Sequence, residues 1–387
     1  MKSIAVAGSI AQKPGRGGHT WVLLQYLLGL RQLGWDVVFL DRLEPEMCHD
    51  EMWAQVPIEH SWNVRYLRDV MRRFGLEDRY ASLCNDGAST IGLSRSQILE
   101  RVAASEALIN VMGFFNDREI LETAPTRVFL DIDPGFGQMW QALGLHDVFR
   151  GHDAHVTIAE NMGKPDCTIP TCGLTWITTR QPVVMTEWPD AGDFGAGDRA
   201  MTSVASWRGA YGPVAYQGTT YGLRAHEFRR FATLPSLTSA RFELALDIHP
   251  ADVKDIELLC RNGWSLIAPR RAAGDPLCYR EYIRNSAAEL MIAKGMYVQT
   301  RSGWFSDRSI CYLSSGRPVL AQDTGLAGLL PTGAGLLTFT TLDEAAEGTR
   351  AILRDYAHHA RAARCLAAEC FDSSVVLEAL LRKLDLC

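Results

Sequence analysis

Short apolar runs that end in a glycine or an acid, each followed by a longer stretch of helical period, recur along this chain and confine it to α/β architectures. Ile4 to Ala7 forms the first such run and stops at Gly8. Val22, Leu23, Tyr26, Leu27 and Leu30 then fall at helical spacing and predict a helix over about His19 to Leu33, terminated by Gly34. Val37 to Leu40 is a second strand, closed by Asp41. Leu108 to Met112, Val128 to Ile132 and His155 to Ile158 continue the series. Continuous apolar strands alternating with helices imply a parallel sheet covered on both faces.

A second series follows: Val183 to Thr186, Phe242 to Leu246, Trp264 to Ile267, Tyr297 to Thr300 and Val319 to Ala321, with Leu336 to Phe339 as an edge. Between the two lies Asp166 to Pro182, where Pro170, Gly173 and Pro182 break any helix and mark a connection. With 387 residues, and about 150 per domain, two or three domains are expected. Residues 1–178 read as the first and 179–358 as the second; helices in 359–387 close the chain. Val376, Leu377, Leu380, Leu381 and Leu384 give the last helix an apolar face. No repeat of solenoid period is present.

Net charge is −6 with acids and bases interspersed, so no basic stripe points to a nucleic-acid partner. No apolar run approaches the roughly 20 residues of a membrane span. Met1-Lys2-Ser3 leads straight into strand-like residues without a secretory signal pattern, and a cytoplasmic location is expected. The ten cysteines include no CxxC pair; they read as reduced thiols, mostly buried, and no metal site is expected.

Three loops on the first half carry candidate chemistry. Pro14-Gly15-Arg16-Gly17-Gly18-His19 joins the first strand to the first helix, where an α/β sheet opens its ligand crevice. Gly17 and Gly18 allow backbone amides close to a ligand, and the helix start adds free N–H groups. His19 stands where a base would meet an acceptor hydroxyl or thiol. The spacing fits neither G-x-G-x-x-G nor the phosphate loop G-x-x-x-x-G-K-[ST]. Asp41 is placed like the ribose-binding acid of a dinucleotide enzyme, but without the glycine fingerprint. Asp131-Ile132-Asp133 ends another strand; Asp133 orients His19, contacts an acceptor or makes a turn. Glu160, with Asn161, follows a strand at the same sheet edge and is a third catalytic candidate.

The most informative stretch is RSGWFSDRSICYLSSGRPVLAQDTG, residues 301–325. Ser302 and Gly303 form a loop, and Trp304, Ser306, Asp307, Arg308 and Ser309 lead into a helix that Gly316 ends. After Pro318 and a strand, Asp323, Thr324 and Gly325 open the next loop. Two such loops at one sheet edge make an anion site. Arg308 is suited to a phosphate, or pairs with a neighbouring acid such as Asp307; Asp323 would accept from sugar hydroxyls.

This layout resembles the GT-B glycosyltransferases, in particular the large retaining group. SSGRPVLAQDTG is similar to their donor-side helix and diphosphate loop. GRGGHTWVLLQYLLGLRQLGWDVVFLD is similar to their glycine-rich acceptor-side loop, first helix and second strand, and the tail resembles their closing helices. The resemblance implies an α/β GT-B fold: two Rossmann-like domains with parallel sheets facing across a cleft, and a C-terminal helix crossing back. It implies transfer of a sugar from a nucleoside-diphosphate-sugar donor to an acceptor, with no cofactor and no metal. Ala268 and Arg270 fall where such enzymes hold the base. One departure stands out: aligned on Gly316-Arg317-Pro318, the group's two glutamates are replaced by Gly303 and Cys311, so "retaining" does not carry over. A sugar-nucleotide epimerase, a nicotinamide oxidoreductase and a nucleotide-binding protein without transferase activity are the rival readings. Base, sugar, acceptor and oligomeric state are not encoded in these motifs.

Overall fold

The computed structural model describes residues 2–192 and 195–386. Its first sheet contains β1 (Ser3–Ala7), β2 (Asp36–Leu43), β3 (Tyr80–Cys84), β4 (Ser89–Gly92), β5 (Ala107–Val111), β6 (Arg127–Asp131), β7 (Ala154–Thr157) and β8 (Trp176–Thr178), ordered β4-β3-β2-β1-β5-β6-β7-β8. All pairings are parallel except the β3–β4 edge. The second half starts with β9 (Met201–Ser206) and a small hairpin of β10 (Val214–Tyr216) and β11 (Thr219–Tyr221). It continues with β12 (Phe242–Asp247), β13 (Trp264–Ile267), β14 (Ala288–Met291), β15 (Val319–Gln322) and β16 (Leu336–Phe339), giving an all-parallel sheet β13-β12-β9-β14-β15-β16. Both sheets have the doubly wound order whose direction reverses at one point, between β1 and β5 and between β9 and β14. The expected two-sheet α/β architecture is present.

Two expected strands are corrected. Val183 makes only an isolated bridge to Asp372, and Tyr297 lies in the helix Gly295–Gln299, capped by Thr300. Two central strands gave no apolar run because each carries buried polar groups that bond to neighbours. On β9, Thr202 Oγ1 is 2.6 Å from both Ser286 Oγ and Tyr312 Oη. On β14, fully buried Glu289 accepts from Arg308 Nε at 2.5 Å. The sequence signal was lost to hydrogen bonding that replaces apolar packing.

The tail crosses back as expected. Helix Ser373–Lys383 packs against the first helix, Gly17–Gln32, so closely that a Cβ on Gly29 would lie 2.6 Å from a Leu377 methyl. Lys383 Nζ donates to Thr178 O at 2.7 Å, and Lys2 Nζ to Leu386 O at 2.8 Å. The cysteines correct the sequence reading. Cys48, Cys84 and Cys311 are buried; Cys167, Cys172 and Cys370 are partly exposed; Cys260, Cys278 and Cys365 are exposed. All nine described cysteines are free thiols. No described helix is long and apolar enough to cross a membrane.

Candidate active site between the two sheets

The two topological switch points face one another, and the loops leaving them enclose a cleft of about 530 Å³. From the first half come Lys13 to Arg16, Gly18, His19, Trp53, Trp62, Met112, Phe114 and Asp133; from the second come residues after β9, Arg224, Arg270, Lys294, Tyr297, Trp304, Asp307 and Arg308. The halves touch at the rims. Trp21 Nε1 donates to Pro276 O at 2.7 Å, Arg270 pairs with Glu51 at 2.7 Å, and Asn161 Nδ2 donates to Arg301 O and Gly325 O.

The glycine loop is held open by a buried acid. Asp41 accepts from Ala11 N at 2.6 Å, Gln12 Nε2 and Arg42 N, which shapes the segment after β1. Burial raises its carboxyl to about 7 while these donors oppose the rise. The ribose role considered for Asp41 is thereby excluded, since its oxygens serve the loop. Gly17 answers to packing across the cleft: a Cβ there would lie 2.2 Å from the Asp275 carbonyl oxygen. Gly18 lines the cleft beside Tyr279, and no side chain caps the helix start that follows Arg16. Its first amides and positive dipole end are left for an anion.

His19 lines the cleft with Nε2 3.1 Å from both the Ser9 carbonyl oxygen and Ser9 Oγ. A carbonyl only accepts, so Nε2 carries the proton and Nδ1 offers a lone pair. Burial, then the charge of Lys13, holds the imidazole well below its ordinary value, so it is neutral. The expected alliance of Asp133 with His19 is corrected. Asp133 instead takes Lys294 Nζ at 2.8 and 2.6 Å on its two oxygens, and the hydroxyl of Tyr297 donates to it. Glu160 is corrected more fully: it does not line the cleft but accepts from Arg180 Nε at 2.9 Å, in a tie whose other end reaches Leu329 O.

On the donor side the expected loop contacts are largely consumed internally. Gly303 N donates to Thr324 O, Trp304 N to Ser302 Oγ, Arg308 N to Ser306 Oγ and Gly325 N to Asp323 Oδ1. Ser302, Gly303, Ser306, Ser309, Asp323, Thr324 and Gly325 therefore build the floor, and only Trp304, Asp307 and Arg308 of this stretch line the cleft. Arg308 pairs with Glu289, not with Asp307, and gives Nη1 to Val204 O at 2.8 Å; its Nη2 is buried without a partner. Ala268 stands outside the lining, just before the helix Pro269–Ala273, while Arg270 sits 4.6 Å over the Trp62 ring.

Four cleft cations were not foreseen as site residues: Lys13, Arg16, Arg224 and Lys294. Arg16 faces Asp247 at 3.6 Å and Lys294 has Asp133. Lys13 and Arg224 have no acid partner among the described residues. Lys13 lies over the Phe114 ring, and Arg224 Nε gives one bond to Ile292 O. Burial, helped by neighbouring cations, pulls Lys13 down to about 8 and Arg224 to about 10. Two half-buried cations without an ion-pair partner in one cavity are costly unless an anion joins them.

No protein-family model matches the sequence, and no curated protein matches it. Solved structures match along the whole chain. Anabaena HepE in complex with UDP-glucose superimposes with a TM-score of 0.59 at 11% identity, covering 100% of both chains. An alpha-glucosyltransferase in complex with UDP gives 0.57 at 10% identity, again over 100% of both. A glycosyltransferase from Rickettsia africae gives 0.53 at 9%, covering 98% of this chain and 97% of that one. The fold is GT-B, with two Rossmann-like domains facing across a cleft.

Proposed function

We propose that this chain is a cytoplasmic glycosyltransferase that moves a sugar from a nucleoside-diphosphate-sugar to a small-molecule or glycan acceptor without a metal ion. The observation that carries the reading is the pair of cations without an ion-pair partner among the described residues, Lys13 and Arg224, half-buried at the meeting point of two switch-point crevices. A diphosphate supplies the missing negative charge. It would lie on Arg224, the free Nη2 of Arg308 and the uncapped start of the first helix, where the charge that develops on the leaving group is met by fixed donors. Asp307 lines the same region, and no described side chain hydrogen-bonds its carboxylate, which leaves it for donor hydroxyls.

The acceptor would enter past Met112, Phe114 and Trp53, with His19 Nδ1 positioning it through another of its polar groups. Lys13 and Arg16 oppose protonation of His19, and a diphosphate between them would relax that opposition. A chain of net charge −6 without a basic stripe favours a small molecule or glycan over a nucleic acid, although one fold neighbour is described in complex with DNA. UDP is the first nucleotide to try, because two neighbours of this fold carry it.

The test is thermal unfolding against UDP, dTDP, GDP, ADP and CDP, with NADH as control. A diphosphate at 100 times its dissociation constant adds about 2.7 kcal/mol, a visible rise in melting temperature. A rise with one diphosphate that Arg224→Met abolishes supports the donor site. No rise with any of them, or one with NADH alone, removes the glycosyltransferase reading.

A further inference from the structure

Lys294 follows β14 at the switch point of the second sheet, and Asp133 follows β6 of the first; their ion pair therefore spans the cleft in which the donor would sit. The ammonium group has three donors, two of them directed at the Asp133 oxygens, and it hovers 4.9 Å over the Phe136 ring. Its surroundings are those of the anion site. Two residues earlier, Ile292 O anchors Arg224, and Tyr297, one turn on, stacks at 4.2 Å on Trp304 of the donor-side loop. Tyr297 also donates its hydroxyl to Asp133, so the carboxylate keeps an orienting partner independent of Lys294. One cation thus stands between a protein carboxylate and the place where a diphosphate is expected.

We infer that Lys294 is shared in turn between Asp133 and the donor's diphosphate, so that donor binding frees Asp133 to take the acceptor's proton. This rests on the proposed donor site. With Lys294 paired, both Asp133 oxygens are occupied by the ammonium group and the carboxylate is closed to the acceptor. When the diphosphate draws Lys294 away, Tyr297 still holds Oδ1 of Asp133, and Oδ2 is left free for the acceptor hydroxyl. The acceptor hydroxyl then gives its proton to Asp133 while its oxygen bonds the anomeric carbon. The bond from that carbon to the phosphate oxygen breaks, and its electron pair leaves with the nucleoside diphosphate, now drawn by Lys294, Arg224 and Arg308. Donor must precede acceptor, because the base is masked until the nucleotide arrives.

The coupling makes a prediction that a merely structural tie does not. Asp133→Asn removes the competitor for Lys294, so the full-length variant should bind the nucleoside diphosphate more tightly than wild type in calorimetric titration. About fivefold or more is expected, within the usual range of coupling between sites, while sugar transfer collapses. In a Lys294→Met background, where binding is itself weakened, the same substitution should bring no tightening. Asp133→Ser serves as the second variant should Asp133→Asn fold poorly. A structural tie predicts weaker or unchanged binding on losing Asp133, and that result overturns the proposal while leaving the donor site standing. Wild-type protein that binds no nucleoside diphosphate overturns both.

Discussion

Replacing Arg224 by methionine should make the protein more stable and at the same time blind to nucleotide. The magnitude follows from its surroundings. Burial and Arg308 pull the guanidinium from the ordinary arginine range down to about 10, against a smaller opposing pull from Tyr297, Asp133 and Asp307. A cation whose folded value is depressed costs stability at every pH below that value, and the cost fades only as pH rises through it toward the unfolded value. At about 1.4 kcal/mol per tenfold change, the burden at neutral pH is on the order of 3 kcal/mol. Methionine retains the apolar stem but forfeits the bond to Ile292 O, worth about 1 kcal/mol. The expected net gain is about 2 kcal/mol in urea unfolding at pH 7, with the nucleotide-induced rise in melting temperature abolished. A variant that is less stable than wild type, and still shifts with nucleotide, would refute the claim that this arginine is held without an ion-pair partner for a ligand.

Three other outcomes follow from the same site. Lys13 is depressed to about 8, so its penalty is full below that value and is relieved between pH 8 and 10; wild type should gain about 1–2 kcal/mol over Lys13→Met across that window in urea titrations. Gly17→Ala forces a methyl to within 2.2 Å of the Asp275 carbonyl oxygen, and should cost about 1–3 kcal/mol or weaken nucleotide binding by prising the halves apart, read by melting temperature and calorimetry. Glu160→Gln loosens a part-buried tie to Arg180 and should lower stability by about 1 kcal/mol while turnover is unchanged, because the carboxylate faces away from the cleft.

The first sheet was easier to read than the centre of the second. β1, β2, β5, β6 and β7 are apolar runs between breakers, and periodicity alone finds them. β9 and β14 hold the second switch point, yet Thr202 and Glu289 disguise them, because their burial is licensed by distant partners that no local window contains. That omission hid the site as well. Lys294 is three residues beyond β14, and Arg224 is anchored to the same segment; with β14 in place, the rule that ligands gather at carboxyl ends of switch-point strands would have singled out Lys294. His19 was legible because its loop follows a recognisable strand. Glu160 was misassigned for the converse reason: a sheet edge locates a residue without saying which way its side chain turns.

The replaced glutamates show how the donor side can work with a different set of groups. Gly303 has φ of +72°, and a Cβ there would meet Leu329 and Asn161, so this position serves the seam between halves and has no room for a carboxylate. Cys311 is buried in the helix Asp307–Ser314, its thiol donating to Asp307 O at 3.3 Å and raised well above its usual range by burial. Neither position faces the cleft. The carboxylate that does is Asp307, one helical turn before Cys311 and at the first position of the helix, where the dipole favours negative charge. Desolvation pushes Asp307 upward, and Arg308 and Arg224 pull it back, so its ionisation is tied to the two arginines assigned to the diphosphate. A diphosphate that engages those arginines weakens their hold on Asp307 and favours its protonated form. In that form the group donates as well as accepts, a pattern suited to a hydroxyl-bearing ring. The two glutamates of the resembled enzymes would thus give way to one carboxyl group whose hydrogen-bonding character changes when the donor arrives.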